Sequence, residues 1–398
     1  MYKWYIMIDQ ILNIDNWQLV PMEKQVAIAK QNSEKKENLP AQGWQNISRT
    51  ISPLALYKYL NARFGPPNGF VMFLKNPTSD NIIHWQYALS TKDSFINIWG
   101  KTSVLEFSIK TSDNTTLSNN DWDALVSNIK KDFKKYDKEM KEVQSKFEQW
   151  SLFINPFTRI EHTLQGYIQQ LEKLNLEEVQ TGTPKSKEDI NKYQKDLEKW
   201  TKNISKAASL GTTIRMLCPV MAESFINLIL LVFRKDEYKN DERLYEGLIR
   251  DHIDIRVKTL HLHCTCFPNQ IDYSSNAFKK FHTLMNKRND FLHGNIDPYK
   301  LIVEDVWFDQ NTIPLFENDE GMIRRMMRNY CTNVERSKAI EDFQTISDLI
   351  ELILMAMDSN SLKIFVQLMS DRMPGINKKT KRLGVLFPSD KLVEGFVY

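Results

Sequence analysis

The stretch Ser275–Gly294, SNAFKKFHTLMNKRNDFLHG, decides how the C-terminal half of this chain is read. Phe278, Phe281, Met285, Arg288 and Leu292 recur by three- and four-residue steps, which puts them on one stripe of a helix. Asn289 and His293 stack on a neighbouring face, and Gly294 suits the position just past the helix end. Arg288 and His293 are five residues apart, about 140° round an ideal helix. Arg288 therefore stands in line with core residues. A guanidinium there cannot shed its charge, so it requires a carboxylate, a phosphate or water. Working outward, the apolar segment from Met216 to Phe233 carries Glu223, with Asn227 one turn later on the same side. Two polar groups in so apolar a stretch imply a buried polar seam in which Glu223 orients Arg288. If that pair is buried, removing Arg288 strands a carboxylate at roughly 3–5 kcal/mol.

The chain has 398 residues, enough for two or three domains with ordinary cores. With 42% hydrophobic and 26% charged residues it reads as soluble and globular. A net charge of +3 is too near balance to announce nucleic-acid binding, so any such affinity must come from local patches. Four cysteines outside any repeated framework suit a reducing compartment. Residues Met1–Ile14 mix Lys3, Asp9 and Gln10 among apolar residues and do not read as a secretion signal. Pro219, Glu223 and Asn227 make the apolar stretch a poor lipid-spanning helix. A cytoplasmic protein without membrane contact is expected.

The fold class expected is mostly α. An α+β N-terminal domain over 1–118 is followed by long helices over 119–209, a helical bundle over 210–370 and a basic C-terminal tail over 371–398. In the first zone Leu105, Phe107 and Ile109 alternate on one face of a strand, as do Ile83, Trp85, Tyr87 and Leu89. Residues 69–74 suit a buried strand, and 52–64 a helix stopped by Gly65-Pro66-Pro67. In the second zone Trp122, Val126, Ile129, Phe133, Tyr136, Met140, Val143, Phe147 and Trp150 form a heptad seam whose lysine-rich opposite face is solvated. The next pair is a helical hairpin: one helix through Ile160, Leu164, Tyr167, Leu171 and Leu174, a polar link from Gln180 to Lys185, and a second helix from Ser186 to Ile204. Four further helices are expected over 212–235, 241–260, 275–293 and 335–358. The tail holds Lys378-Lys379-Thr380-Lys381-Arg382 and reads as mobile.

Arg288-Asn289-Asp290-Phe291-Leu292-His293 resembles the Arg–x(4–6)–His signature of HEPN domains, in the form with Asn after Arg. The resemblance covers well under half of the chain. It implies a HEPN-like bundle with the motif near the end of a long helix and an acidic residue, here matched by Glu223, on an earlier one. In catalytically active members it implies a metal-independent endoribonuclease working as a homodimer, in antiviral defence or a toxin-like system. Arg288, His293 and Asn289 would then be catalytic, Glu223 and Asn227 supporting, the substrate RNA, and no cofactor needed. The chemistry suits these residue types. RNA carries its own nucleophile in the 2′-hydroxyl, so proton transfer by a histidine and charge stabilisation by an arginine suffice. The same residues also fit a non-catalytic HEPN-like dimerisation or interaction module, with Arg288 half of an ion pair and His293 a helix-end cap.

Arg324, Arg325, Arg328 and Arg336 form a basic cluster near the motif, and Arg324, Arg325 and Arg328 are candidates for the RNA backbone. His261-Leu262-His263-Cys264-Thr265-Cys266 has ligand-type residues but no second His/Cys pair to complete a zinc site, so no metal is expected. No phosphate-binding glycine loop, dinucleotide fingerprint or serine-hydrolase elbow occurs. The N-terminal domain would sense, inhibit or recruit.

Overall fold

The computed structural model describes residues 8–34, 42–45, 50–75, 82–101, 104–112, 116–177, 186–292, 302, 304–310, 312–317, 322–331 and 336–387. The chain is mostly helical, with a small antiparallel sheet in its N-terminal part. It divides into two compact units, one closing at Trp150 and the other spanning Ser151–Val385. That division differs from the boundaries after 118 and 209 that the sequence suggests.

The first unit is organised by a five-stranded sheet. Its strands are β1 (Gln18–Leu19), β2 (Gln42–Gln45), β3 (Ile83–Ser90), β4 (Ser94–Lys101) and β5 (Leu105–Thr111), in spatial order β1-β3-β4-β5-β2. Register aligns Leu89 with Ile96, Tyr87 with Ile98, and Ile98 with Phe107, so one face of the sheet is continuously apolar. Gly100 pairs with Trp85, and a Cβ there would meet the indole ring at 2.1 Å, so the position excludes any side chain. The helices α1 (Met22–Glu34) and α2 (Pro53–Phe64) come before β3. Ser52 caps α2 and Gly65, at φ 83°, ends it. Residues 70–73 form a short 3-10 helix with Phe73 and Leu74 exposed, not the buried strand their composition suggests.

The expected heptad seam is broken. Residues Asn119–Phe133 form α3, a 3-10 turn follows over Lys134–Tyr136, and α4 covers Asp137–Ser145. Trp122, Leu125, Val126, Ile129 and Met140 join the core built on the sheet and α2, so these helices serve the first unit. The sheet's apolar face supplies a partner that a heptad reading does not anticipate. The lysines at 130, 131, 134, 135, 138 and 141 do face solvent.

Within this unit Asp132 of α3 is buried, and Tyr59 donates to its carboxylate at 2.6 Å. Arg63 is bonded to the same oxygen, and Lys135 lies 2.9 Å from the other. Burial pulls the Asp132 carboxyl up, but the Tyr59 and Lys135 hydrogen bonds and the Arg63 charge outweigh it and hold the pKa below the usual carboxylate value. Its contribution is therefore complete above the unfolded carboxylate pKa of about 4 and is lost as pH falls through the lower folded value. Asp132→Ala is expected to destabilise the protein by about 1–3 kcal/mol, because it leaves the buried Tyr59 hydroxyl without its acceptor and Arg63 with Asp15 and the Ile14 carbonyl. Denaturant midpoints measured against pH should show a shallower acid decline in Asp132→Asn than in the wild type.

The second unit is assembled round one helix, α6 (Lys187–Phe233), where the sequence suggests two. No strong breaker lies between Ile204 and Thr212, and Gly211 is buried, so the segment stays helical. By length and composition α6 could cross a membrane, but its most apolar 18 residues are 56% buried inside the structure, as befits a core helix. Helices α5 (Pro156–Glu172), α7 (Asp236–Asn240), α8 (Glu242–Arg250), α9 (Ile253–His263), α10 (Asn276–Leu292), α11 (Met322–Cys331), α12 (Arg336–Met355) and α13 (Ser359–Ser370) complete the helical part. The single helix suggested over 241–260 is two, α8 and α9, parted at Asp251-His252. The link from Gln180 to Lys185 lies outside the described residues.

The fully buried Asn155 joins the two ends of this unit. Its amide donates to the carbonyls of Met369 at 3.1 Å and Asp371 at 3.0 Å, while its oxygen accepts from the Phe157 N–H at 3.1 Å. The expected mobile tail is corrected in part. Strand β6 (Trp150–Leu152) pairs with β9 (Gly375–Asn377), which pairs in turn with β10 (Leu383–Gly384). The buried Asn377 side chain accepts from the N–H groups of Lys379 and Thr380, so the basic run is a tight turn. Leu383 and Val385 pack on the core.

Candidate functional site

Helix α10 begins where Ser275 accepts from the Phe278 N–H at 3.3 Å, and it presents the expected stripe. Phe278, Phe281 and Met285 are buried, and Arg288, half-buried, follows Phe281 by about two turns and Met285 by about one. The helix packs against α6 and α12. Arg288 Nη1 lies 3.9 Å from Glu223 Oε1, so the carboxylate proposed to orient it does face it. That separation is an ion pair beyond hydrogen-bond length. Both side chains stay in partial contact with water, at 23% and 30% exposure, so the pair is not the sealed one assumed from sequence.

Asn227 does belong to the seam, but it is bonded to a residue that the sequence reading passed over. Its oxygen accepts from Arg256 Nη1 of α9 at 2.6 Å. Arg256 is only 6% exposed, and its Nε has no hydrogen-bond partner among the described residues. Burial pulls the Arg256 pKa below the ordinary arginine value, against the opposing charges of Glu223 and Asp251. The signal was present in the sequence. Ile253, Arg256, Val257 and Leu260 step by three and four, so Arg256 interrupts an apolar stripe just as Arg288 does. Missing the break between α8 and α9 hid that alignment.

The seam thus brings together Glu223 and Asn227 of α6, Arg256 of α9 and Arg288 of α10. Asn289 lies in α10, but its side chain falls outside the described residues, as do His293 and Gly294 altogether. Chemically, the described part can bind an anion: Arg288 faces Glu223 beyond hydrogen-bond length, Arg256 is held by Asn227, and Arg288 is reachable from water.

The other basic candidates lie on α11. Arg325 is 3.1 Å from Glu304, and its guanidinium sits 3.8 Å over the Phe316 ring, so an RNA phosphate would have to displace an existing pair. The side chains of Arg324 and Arg328 are outside the described residues. Arg336 heads α12 and donates to the Leu174 carbonyl.

The His261–Cys266 stretch has a structural role. Thr265 N–H donates to the Phe233 carbonyl at 2.9 Å and Lys235 N–H to that of His263 at 2.9 Å, fastening the segment to the exit of α6. His263 Nδ1 meets the Tyr238 hydroxyl at 2.7 Å. Cys264 and Cys266 are buried, and the hydrogen bond between them, with burial, raises the Cys266 thiol pKa. Among the described residues no group of three or more His, Cys, Asp or Glu side chains is placed to hold a metal ion.

In comparisons with protein families, characterised proteins and solved structures, nothing matches this chain.

The geometry lowers the cost expected of a sealed Glu223–Arg288 pair and puts the larger one at Arg256. Arg288→Ala is expected to destabilise by about 1 kcal/mol or less, as partly exposed pairs do. Arg256→Ala is expected to cost about 1–3 kcal/mol through its lost hydrogen bond, and more through the packing of its stem. Thermal melts of the two variants under one buffer check the order.

Proposed function

We propose that this protein is a metal-independent endoribonuclease of HEPN type, with Arg288, Asn289 and His293 as its catalytic residues and a HEPN-like bundle within its C-terminal unit. The observation that supports it most is that Arg288 leaves the apolar stripe of α10 to face Glu223, in a seam still open to water. In this reading one imidazole takes the proton of the 2′-hydroxyl and the 2′-oxygen attacks the adjacent phosphorus. The bond to the 5′-oxygen then breaks, and that oxygen receives a proton from an acid, the imidazole of a second copy. Arg288 holds the phosphoryl oxygens as negative charge develops. The products are a 2′,3′-cyclic phosphate and a 5′-hydroxyl. Such a protein would act in the cytoplasm, in antiviral defence or a toxin-like system.

Incubation with total RNA in excess EDTA tests the reading. The wild type should cut RNA and leave DNA intact, since DNA lacks the nucleophile, and His293→Ala should lose cleavage while melting near the wild-type temperature. Activity that needs magnesium and yields 5′-phosphates would move the active site away from Arg288 and His293.

A homodimer through the C-terminal unit belongs to the same proposal. Strands β7 (Trp307–Asp309) and β8 (Ile313–Leu315) form a hairpin whose strand residues are all exposed, Trp307 at 62% and Phe308 at 60%. A two-stranded hairpin is marginal alone, and its apolar side chains fit a contact with another copy. The same hairpin is what favours the second reading, a dimerisation module without catalysis. Light scattering over a concentration series should report a dimer, and Trp307→Asp should shift it toward monomer.

A further inference from the structure

The seam contains one more arginine than the ribonuclease reading uses. Among the described residues Glu223 is a carboxylate that faces Arg288, at 3.9 Å. Arg256 lies on the inner side, 6% exposed, held by Asn227 at 2.6 Å and near enough to Glu223 to feel its charge. Asn227 and Glu223 are one turn apart on α6, so a guanidinium fixed to the first is carried next to the second. Anchoring matters here. Arg256 is buried and stays charged, so its field on Glu223 is permanent. A carboxylate between two cations holds each less firmly than it would hold one alone.

We propose that Arg256 is a positioning residue for the Arg288 site: locked to Asn227 and sharing the charge of Glu223, it loosens the hold of Glu223 on Arg288, so that Arg288 can turn to an RNA phosphodiester. The inference rests on the ribonuclease reading. It explains why so apolar a helix keeps both Glu223 and Asn227: one orients the working arginine and the other fixes the arginine that offsets the first. Arg256 itself touches no substrate. Its buried position leaves the phosphate to the half-buried Arg288. Without Arg256, Glu223 pairs with Arg288 alone and competes with RNA for it.

The test is affinity for a 2′-O-methyl RNA oligonucleotide, which binds but cannot be cut, at one fixed salt concentration. Arg256→Gln should weaken binding about tenfold. Adding Glu223→Gln to that variant should recover much of the lost affinity, because the competing carboxylate is gone. With cleavable RNA, Arg256→Gln should raise KM more than it lowers kcat. Arg256→Lys, which keeps the charge and carries the test should Arg256→Gln not fold, should bind within about twofold of wild type. A merely structural arginine would give none of the rescue, since Glu223→Gln restores no packing. Wild-type binding unchanged in Arg256→Gln, absent rescue by Glu223→Gln, or a large loss in Arg256→Lys overturns this inference alone. A wild type that does not bind the oligonucleotide overturns the ribonuclease reading as well.

Discussion

A carboxylate and a carboxamide one turn apart in the apolar half of a core helix cannot be left without partners, and the arrangement of the second unit follows from that. Both are half-buried, so water satisfies them only in part, and each polar atom cut off from it costs about 1–3 kcal/mol. Glu223 and Asn227 therefore dictate which faces of the neighbouring helices turn toward α6. Helix α9 answers with Arg256 and α10 with Arg288, each taken from an otherwise apolar stripe. Rotating either helix by one residue would both bury its polar face and strand a charge. One seam thus sets the rotation of three helices, while the surrounding core of Phe225, Ile229, Phe278, Phe281 and Leu349 supplies the bulk of the burial.

The first unit meets the same difficulty and resolves it differently. Asp132 is surrounded by Tyr59, Arg63 and Lys135, and Arg63 reaches on to the Ile14 carbonyl at 2.9 Å. Aromatic faces cover its arginine, with Arg63 5.4 Å from the Tyr136 ring centre, while its outer members Asp15 and Lys135 are exposed and line a cavity together with Asp132. The seam of the second unit differs in its arginine: Arg63 is 8% exposed and Arg288 23%. Partial exposure of an arginine that belongs geometrically to the core is what separates a candidate site from a structural ion pair.

Residue type alone proved a poor guide where backbone pairing decides the role. His261 to Cys266 has the composition of a metal site, yet its backbone fastens the end of α9 to the exit of α6 and its thiols are buried. The run Lys378–Arg382 has the composition of a mobile basic arm, yet Asn377 bends it into a turn. In the first case hydrogen bonds to distant main-chain groups override the local signal, and no window of sequence shows them; in the second, a local asparagine turn does so two and three residues on.

Local periodicity by itself determined much of the chain: the strands at 83–90 and 105–111, the helix from Pro53 with its glycine stop, the helix from Ser186, and the stripe of α10 with Arg288 in line. These follow from side-chain geometry within a few residues, which repeats every two or 3.6 positions whatever lies elsewhere. The facing of Glu223 and Arg288 was legible too, because an arginine in an apolar stripe demands an acid and few were at hand. Tertiary structure alone decided the rest. The strand at 94–101, central in the sheet, shows its register only against both neighbours, and the helices of 119–145 gained a sheet in place of a coiled partner. Helix α6 ran through a presumed junction because nothing between Ile204 and Thr212 stops a helix once packing holds both ends. Arg256 found Asn227 across 29 residues of chain, a pairing set by how α9 lies on α6, and such long-range placement has no signature in either segment read alone.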